Sequence, residues 1–283
     1  MAGVSMNDIK LRIKSMESTK QITKAMEMVA ASKLRRAQER IVNSRPYFEI
    51  LFDTLNTIAN GTEHFSSPYL NQREIQKTCY VVIGGDRGLA GGYNSNVLKL
   101  AYSQFEGTDA CVVPVGRKCL DFFRSRKVEI LTDAYAVASE VHVGDCFTLA
   151  KMISKAFLTG EFDRVIVVYT AFVSMLSQTP TLLELLPLAY HPRPGDTESN
   201  CLTLYEPDGA AVFDAIIPEY LGGQIYGALC ESITSEQGAR RTAMDAATKN
   251  AEEMISDLSL KYNRARQGAI TQEITEIVAG SDS

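Results

Sequence analysis

The sequence predicts an α/β chain: a central Rossmann-like parallel-sheet domain flanked by long N- and C-terminal helices. Three observations predict it. The last proline is Pro218, and the residues from Glu219 to Ser283 are almost all good helix formers. A matching helical pattern runs from about Asp8 to Ile58. Between the two lie β-branched apolar runs separated by helical candidates. At about 1.5 Å per residue, some sixty helical residues reach roughly 90 Å, far past the span of a small domain. A helix that long cannot bury its apolar stripe within its own domain. It needs a partner helix or a surrounding ring of subunits.

The first arm, residues 1–59, carries Ala30, Leu34, Ala37, Ile41, Ser44, Phe48, Leu51, Leu55 and Ile58 at alternating steps of four and three, a heptad seam. Upstream, Ile9, Ile13 and Met16 repeat the step, as do Ile22, Met26 and Val29, with slips of phase that predict an irregular coil. Pro46 should kink or break this helix. Asn60 to Arg73, with Gly61 and Pro68, reads as a linker.

The middle domain, residues 74–206, contains TCYVVIG (78–84), ACVVPVG (110–116) and RVIVVYTAF (164–172) as strands. Helical candidates fall near Asn94–Phe105, Arg117–Lys127 and Asp145–Leu158. Continuous apolar strands alternating with helices imply a parallel sheet covered on both faces. The stretch 180–200 reads as loop-rich, and CLTLYEP (201–207) as a last short strand.

The second arm, residues 209–283, has Ala239, Ala243, Ala246, Ala247 and Ala251, which let another backbone approach closely. Met254, Ile255, Leu258, Tyr262, Ala265, Ala269, Ile274 and Ile277 continue the stripe. Gly222, Gly223, Gly227, Gly238 and Gly268 each weaken a helix by about 0.5–1 kcal/mol relative to Ala. Close helix crossings explain their presence best.

Charge is unevenly spread. Lys and Arg against Asp and Glu number 10 to 6 in residues 1–58, 13 to 15 in 59–205 and 6 to 13 in 206–283. A basic first arm and an acidic last arm attract one another if they lie side by side. The six cysteines form no C-x-x-C and no metal spacing, so they read as reduced thiols acting as small hydrophobes. The start, MAGVSMNDIKLRI, has no apolar leader, and the longest uncharged run, Val165 to Leu183, is interrupted by polar residues. A chain soluble by itself, without a nucleic-acid partner, is expected.

GGDRGLAGGYN, Gly84 to Asn94, follows a strand and opens a helix, where a phosphate-cradling loop would sit. Its glycines do not fit G-x-G-x-x-G, and the chain has no G-x-x-x-x-G-K-[ST]. Within it, Asp86 and Arg87 either form a local ion pair or leave Arg87 for a partner carboxylate. His64, His142 and His191 lie far apart without an evident partner. No catalytic residue, metal site or cofactor is expected. The C-terminal run Tyr262–Gly280 mixes Arg264, Arg266, Gln267, Thr271, Gln272, Glu273 and Glu276 with Ile270, Ile274, Ile277 and Val278 around most of the helix. A helix of that kind is enclosed by other protein.

ITKAMEMVAASKLRRAQ (22–38), DRGLAGGYN (86–94), LYEPD (204–208), EQGARRTAMDAATKNAEEMI (236–255) and YNRARQGAITQEITEIVAG (262–280) resemble the γ subunit family of the F-type, proton-translocating ATP synthases. The resemblance covers essentially the whole chain. It implies a non-catalytic central rotor stalk, its long N- and C-terminal helices forming an antiparallel coiled coil inserted into a ring of alternating α and β subunits. The α/β domain would form a foot on the membrane c-ring beside the ε subunit. The complex would sit peripherally on the cytoplasmic face of a prokaryotic plasma membrane.

Residue by residue, the resemblance implies that Arg266 and Gln267 touch the catch loops of β, with Thr271, Glu273 and Glu276 nearby. Met26 would lie against the segment around Arg240, and Arg87 would face the lower catalytic ring. Tyr205 and Glu206 would belong to the foot near the ring. Gly85 and Ala90 depart from the Ser or Thr and the Cys usual there, and the cysteine-bearing insertion of chloroplast relatives is missing. Thiol regulation of that type is therefore not expected. Two rival readings are a nucleotide-binding α/β enzyme using the Gly84–Gly92 loop and a coiled-coil structural adaptor.

Overall fold

The computed structural model describes residues 6–61, 67–71, 73–105, 109–188 and 205–281. In chain order the elements are α1 (Met6–Gly61), β1 (Lys77–Ile83), α2 (Tyr93–Ser103), β2 (Asp109–Val115), α3 (Arg117–Ser125), β3 (Glu129–Ile130), α4 (Val143–Thr159), β4 (Arg164–Phe172), β5 (Gln178–Leu186) and α5 (Gly209–Ser281). The chain divides into two units, residues 1–31 with 240–283, and residues 32–239.

In the larger unit the five strands run in the order β3-β2-β1-β4-β5. β1, β2, β3 and β4 are mutually parallel, with Cys79 level with both Cys111 and Val165. Side chains alternate across the sheet as the pleat dictates. Cys79, Val81, Ile83, Val113 and Val167 face Leu149, Ile153 and Phe157 of α4, Leu55 and Ile58 of α1, and Ile217, Leu221 and Ile225 of α5. Tyr80, Val82, Val112, Ile166 and Val168 face Val97 and Ala101 of α2 and Phe123 of α3. The sheet is covered on both sides.

Three local expectations are corrected. The stretch read as loop-rich opens with β5, an edge strand antiparallel to β4. Pro180 disguises it, and an edge strand tolerates proline because one side of its ladder is unpaired. Most of the expected strand at 201–207 lies outside the described residues, and Tyr205 to Pro207 are not in a strand. The supposed linker is partly pinned. Tyr69 is buried and stacks on Phe157 at 6.3 Å, and Ser67 donates to Asp214 Oδ1 at 2.6 Å.

The long helices carry a cleaner seam than their apolar residues suggest. Buried or half-buried positions on α1 include 9, 13, 16, 20, 23, 27, 30, 34, 37, 41, 44, 48, 51, 55 and 58, an unbroken alternation of four and three flanked by half-buried Met26, Ala31 and Asn56. The expected phase slips vanish because Lys20, Thr23 and Glu27 occupy seam positions, while Ile22 and Val29 point outward, 60% and 56% exposed. Met254 of α5 is likewise outside its seam. Nor does Pro46 interrupt α1, which continues through it.

In the smaller unit the antiparallel pairing is explicit: Thr23 Oγ1 meets Thr248 Oγ1 at 2.8 Å, and Lys20 Nζ meets Glu252 Oε1 at 2.9 Å. The ion pair is about half exposed and contributes roughly 0.2–1 kcal/mol. The threonine pair is buried. Each hydroxyl also reaches a carbonyl of its own helix, Thr23 that of Lys20 at 3.1 Å and Thr248 that of Met244 at 2.8 Å, so replacing either one with valine loses the bridge without stranding its partner. Each single replacement should cost about 0.5–1 kcal/mol, and the double replacement less than the sum of the two. A double-mutant cycle by chemical denaturation measures this; additive losses would refute it. In the larger unit the same two helices meet through Phe48–Tyr226 at 6.2 Å and Phe52–Tyr220 at 6.1 Å.

Candidate partner-contacting surfaces

From β1 the connections run outward in both directions, to β2 on one side and β4 on the other. In open α/β sheets such a switch point, at the carboxyl ends of the strands, is where ligands bind. Here α5 fills it. Thr170 N–H donates to Ser232 Oγ at 3.4 Å, Ser232 donates to the Ile83 carbonyl at 3.5 Å, and Tyr93 Oη lies 2.8 Å from the same hydroxyl. With Tyr93 as donor, Ser232 accepts twice and donates once, its full capacity. Ser235 donates to the Thr170 carbonyl at 3.0 Å. A Cβ placed on Gly85 would stand 2.9 Å from Glu236 Oε1. The protein's own helix occupies the crevice, which disfavours the nucleotide-binding reading.

The Gly84–Gly92 loop is built for presentation. Asp86 accepts from three backbone amides, Arg117 at 3.3 Å, Ala138 at 2.9 Å and Ser139 at 3.0 Å. Gly85 N–H donates to Asn94 Oδ1 at 2.9 Å, and Asn94 Nδ2 donates to the Arg87 carbonyl at 3.2 Å. Asp86 is therefore committed to amides, and the suggested Asp86–Arg87 ion pair does not form. Arg87 is exposed, with no ion pair among the described residues.

On α5, Arg266, Gln267, Thr271, Glu273 and Glu276 are all exposed, beside Ile270, Ile274 and Ile277 at 48%, 56% and 71%. Local bonds are confined to the helix: Thr271 donates to the Gln267 carbonyl at 2.9 Å and Gln272 to Glu276 at 2.9 Å. One element thus brings these five residues together, with three isoleucines facing water. Met26 and Arg240 are half-buried in the smaller unit. Tyr205 packs against the core of the larger unit and Glu206 is exposed. Arg87 also belongs to that unit.

Cys79, Cys111, Cys119, Cys146 and Cys230 are free and buried; Cys201 lies outside the described residues. Burial pushes the Cys146 thiol up to about 12 and raises Cys119 further. Neither presents a thiolate. His142 starts α4, its backbone N–H donating to Asp145 Oδ2 at 2.8 Å, while His64 and His191 lie outside the described residues. Sequence reasoning missed Asp86, Ser232, Ser235 and Glu236 as fasteners. Only Asp86 carried a signal, a carboxylate beside glycines at a strand end; Ser232, Ser235 and Glu236 lie within α5.

The family model described as ATP synthase matches residues 5–283. The ATP synthase gamma chain of Ruminococcus albus is 44% identical over 282 residues, 98% of each chain. The chain belongs to the ATP synthase γ-chain family. The γ chain of Alkaliphilus metalliredigens is 42% identical over 99% of each chain. Among solved structures, the rotor of the Euglena gracilis mitochondrial ATP synthase gives a TM-score of 0.64 at 19% identity, covering 94% of this chain and 98% of that one. The central stalk of the Tetrahymena thermophila mitochondrial enzyme gives 0.59 at 24%, covering 80% and 99%. These share the γ-chain fold, a mixed sheet with long terminal helices. Among the described residues no helix is long and apolar enough to cross a membrane.

Proposed function

We propose that this γ chain is the central rotor stalk of an F-type ATP synthase, coupling proton-driven rotation of a membrane c-ring to ATP synthesis or hydrolysis on β subunits. Its antiparallel terminal helices form the shaft within a ring of α and β subunits. The larger unit serves as the foot, beside ε, on the cytoplasmic face of a prokaryotic plasma membrane. The observation that carries the reading is an exposed α5 end with three isoleucines and five hydrogen-bonding side chains facing water. Enclosure by a ring would bury them.

An eccentric shaft cannot meet three identical sites identically, so each catalytic site faces a different surface. Moving one site from mostly open to mostly closed takes about 5.5 kcal/mol of differential interaction. Exposed ion pairs supply roughly 0.2–1 kcal/mol each. Arg266 and Gln267 at the β catch loops, with Thr271, Glu273 and Glu276 nearby and Arg87 at the lower ring, therefore guide the motion. Steric displacement by the stiff helix pair carries most of it.

Within the shaft, Thr23 level with Thr248 puts Met26 level with residues 244–245. Arg240 lies about 7 Å further along, at about 1.5 Å per residue, within reach of a long side chain. Tyr205 and Glu206 belong to the foot near the c-ring.

An image of the purified complex tests the reading, with one copy of this chain expected on the axis among three α and three β subunits. Arg266→Ala and Gln267→Ala should each slow ATP turnover only partially. Complete loss of rotation with either one would count against steric transmission.

A further inference from the structure

Two cysteines stand side by side toward the amino-terminal end of the sheet. Cys79 of β1 is level with Cys111 of β2 in parallel register, so both side chains project from one face, and both belong to the apolar cluster that includes α4. Neighbouring strands lie about 4.7–4.9 Å apart, inside the roughly 4.4–6.8 Å between Cα atoms that a disulfide spans. The other described cysteines have no such neighbour in the sheet: Cys119 is on α3 under the opposite face, Cys146 on α4 and Cys230 on α5.

The row extends outward to Glu129 of β3, level with Cys111. Lys77, two residues before Cys79 and on its face, reaches Glu129 with its Nζ 2.8 and 2.7 Å from the two carboxylate oxygens. Because β2 lies between β1 and β3, the lysine arm must cross β2, which brings its ammonium near Cys111. The ion pair lies at the surface, its side chains 26% and 54% exposed, while both thiols are buried. It forms a lid held by charge. The two thiols are not equivalent. Proton sharing with Cys79 holds the Cys111 thiol below its ordinary range; burial opposes this and the Lys77 ammonium assists it. The same sharing, together with burial, holds Cys79 well above. One thiol is thus set to ionise and attack while its neighbour keeps its proton.

We propose that Cys79 and Cys111 are a modification site, a dithiol that hydroperoxides convert to a disulfide joining β1 to β2, entered by opening of the Lys77–Glu129 lid. The Cys111 thiolate attacks a peroxide oxygen. The O–O bond breaks, an S–O bond forms, and the departing oxygen takes a proton and leaves as water or an alcohol. Sulfur is oxidised to a sulfenic acid and the peroxide is reduced. The Cys79 sulfur then displaces the hydroxyl from Cys111, and its proton departs with that hydroxyl as water. Cβ atoms projecting in parallel at strand spacing stand beyond the roughly 3.5–4.5 Å of a relaxed bridge, so the bond is strained and a dithiol reverses it readily. The site stands independently of the rotor-stalk reading.

The complete chain, treated with hydrogen peroxide, quenched in acid and alkylated after denaturation, should yield peptides linked through Cys79 and Cys111, separated again by dithiothreitol. Cys119, Cys146 and Cys230 should take at least about tenfold longer to oxidise. Peroxide that leaves the pair reduced, or carries Cys111 to a sulfinic acid without a link, would overturn the proposal. Cys79→Ser keeps a proton donor but removes the second sulfur, and dimedone should then capture Cys111 as its sulfenic acid. An unlabelled Cys111 would refute its place as the attacking thiol. Glu129→Gln loosens the lid while leaving Lys77 charged, and should speed linkage about threefold. An unchanged rate would refute entry by that route.

Discussion

Gly222→Ala is expected to lower the thermal unfolding midpoint of this chain by about 5 °C, although alanine is the better helix former. A Cβ at Gly222 would stand 2.3 Å from Phe147 Cδ1 and 3.0 Å from Phe147 Cα. The ring can shift; the backbone of α4 cannot without disturbing Leu149 and Ile153 in the core. Overpacking of this kind costs typically about 1–3 kcal/mol and more against backbone. The gain in helix propensity, about 1 kcal/mol, does not offset it. Gly223→Ala is the informative neighbour. Its Cβ would meet only ring atoms of Phe48, at 2.3 and 2.5 Å. Phe48 is half-buried and lines a groove of about 530 Å³ between α1 and α5, with room for the ring to turn. The second variant should therefore lose no more than about 1 kcal/mol. Calorimetry on the two variants decides the matter, and a Gly222→Ala chain that melts higher than the parent would show that α4 yields.

These glycines show what the sequence does and does not display. A glycine in a long helix suggests a close crossing, which holds at Gly222 and Gly223 but not at Gly227 and Gly268, where an added Cβ would meet nothing within 4 Å. Which aromatic ring fills each gap depends on how α4 and α1 reach α5, information carried by no local pattern. The heptad seam shows the same limit in reverse. Lower down α1, apolar residues suggested a seam through Ile22 and Val29, yet Thr23 and Lys20 hold it. Hydrophobic periodicity finds a seam when apolar residues fill it and misleads where a polar pair does. The outward isoleucine and valine then have another use, which fits a helix enclosed on more than one side. β5 was hidden because Pro180 and Glu184 broke its pattern, and tertiary pairing with β4 overrode them. The candidate contact residues came through resemblance; their exposure on α5 is what the fold adds.

Asp86→Ala is the change expected to damage both stability and coupling. The carboxylate accepts from Arg117, Ala138 and Ser139 amides, and Ala138 is 4% exposed, so water cannot simply replace the lost acceptor there. Charge-assisted bonds of this type contribute about 1.5–3 kcal/mol, and a buried donor left without a partner costs about 1–3 kcal/mol more. A loss of about 3 kcal/mol is the reasonable expectation, with the amides of Arg117 and Ser139 partly rescued by solvent. Coupling should suffer separately. The same three bonds fix the start of the loop that carries Arg87, so their removal frees a segment that the proposed contact with the ring needs rigid. Asp86→Asn separates the two effects, since its side-chain oxygen can accept from Ala138 while giving up the second carboxylate oxygen and the charge. Urea denaturation should place Asp86→Asn between the parent and Asp86→Ala. ATP-driven proton pumping per ATP hydrolysed should follow the same order in the assembled complex. An Asp86→Ala complex that pumps at the parental ratio after losing stability would show that the loop's rigidity has no part in transmitting rotation.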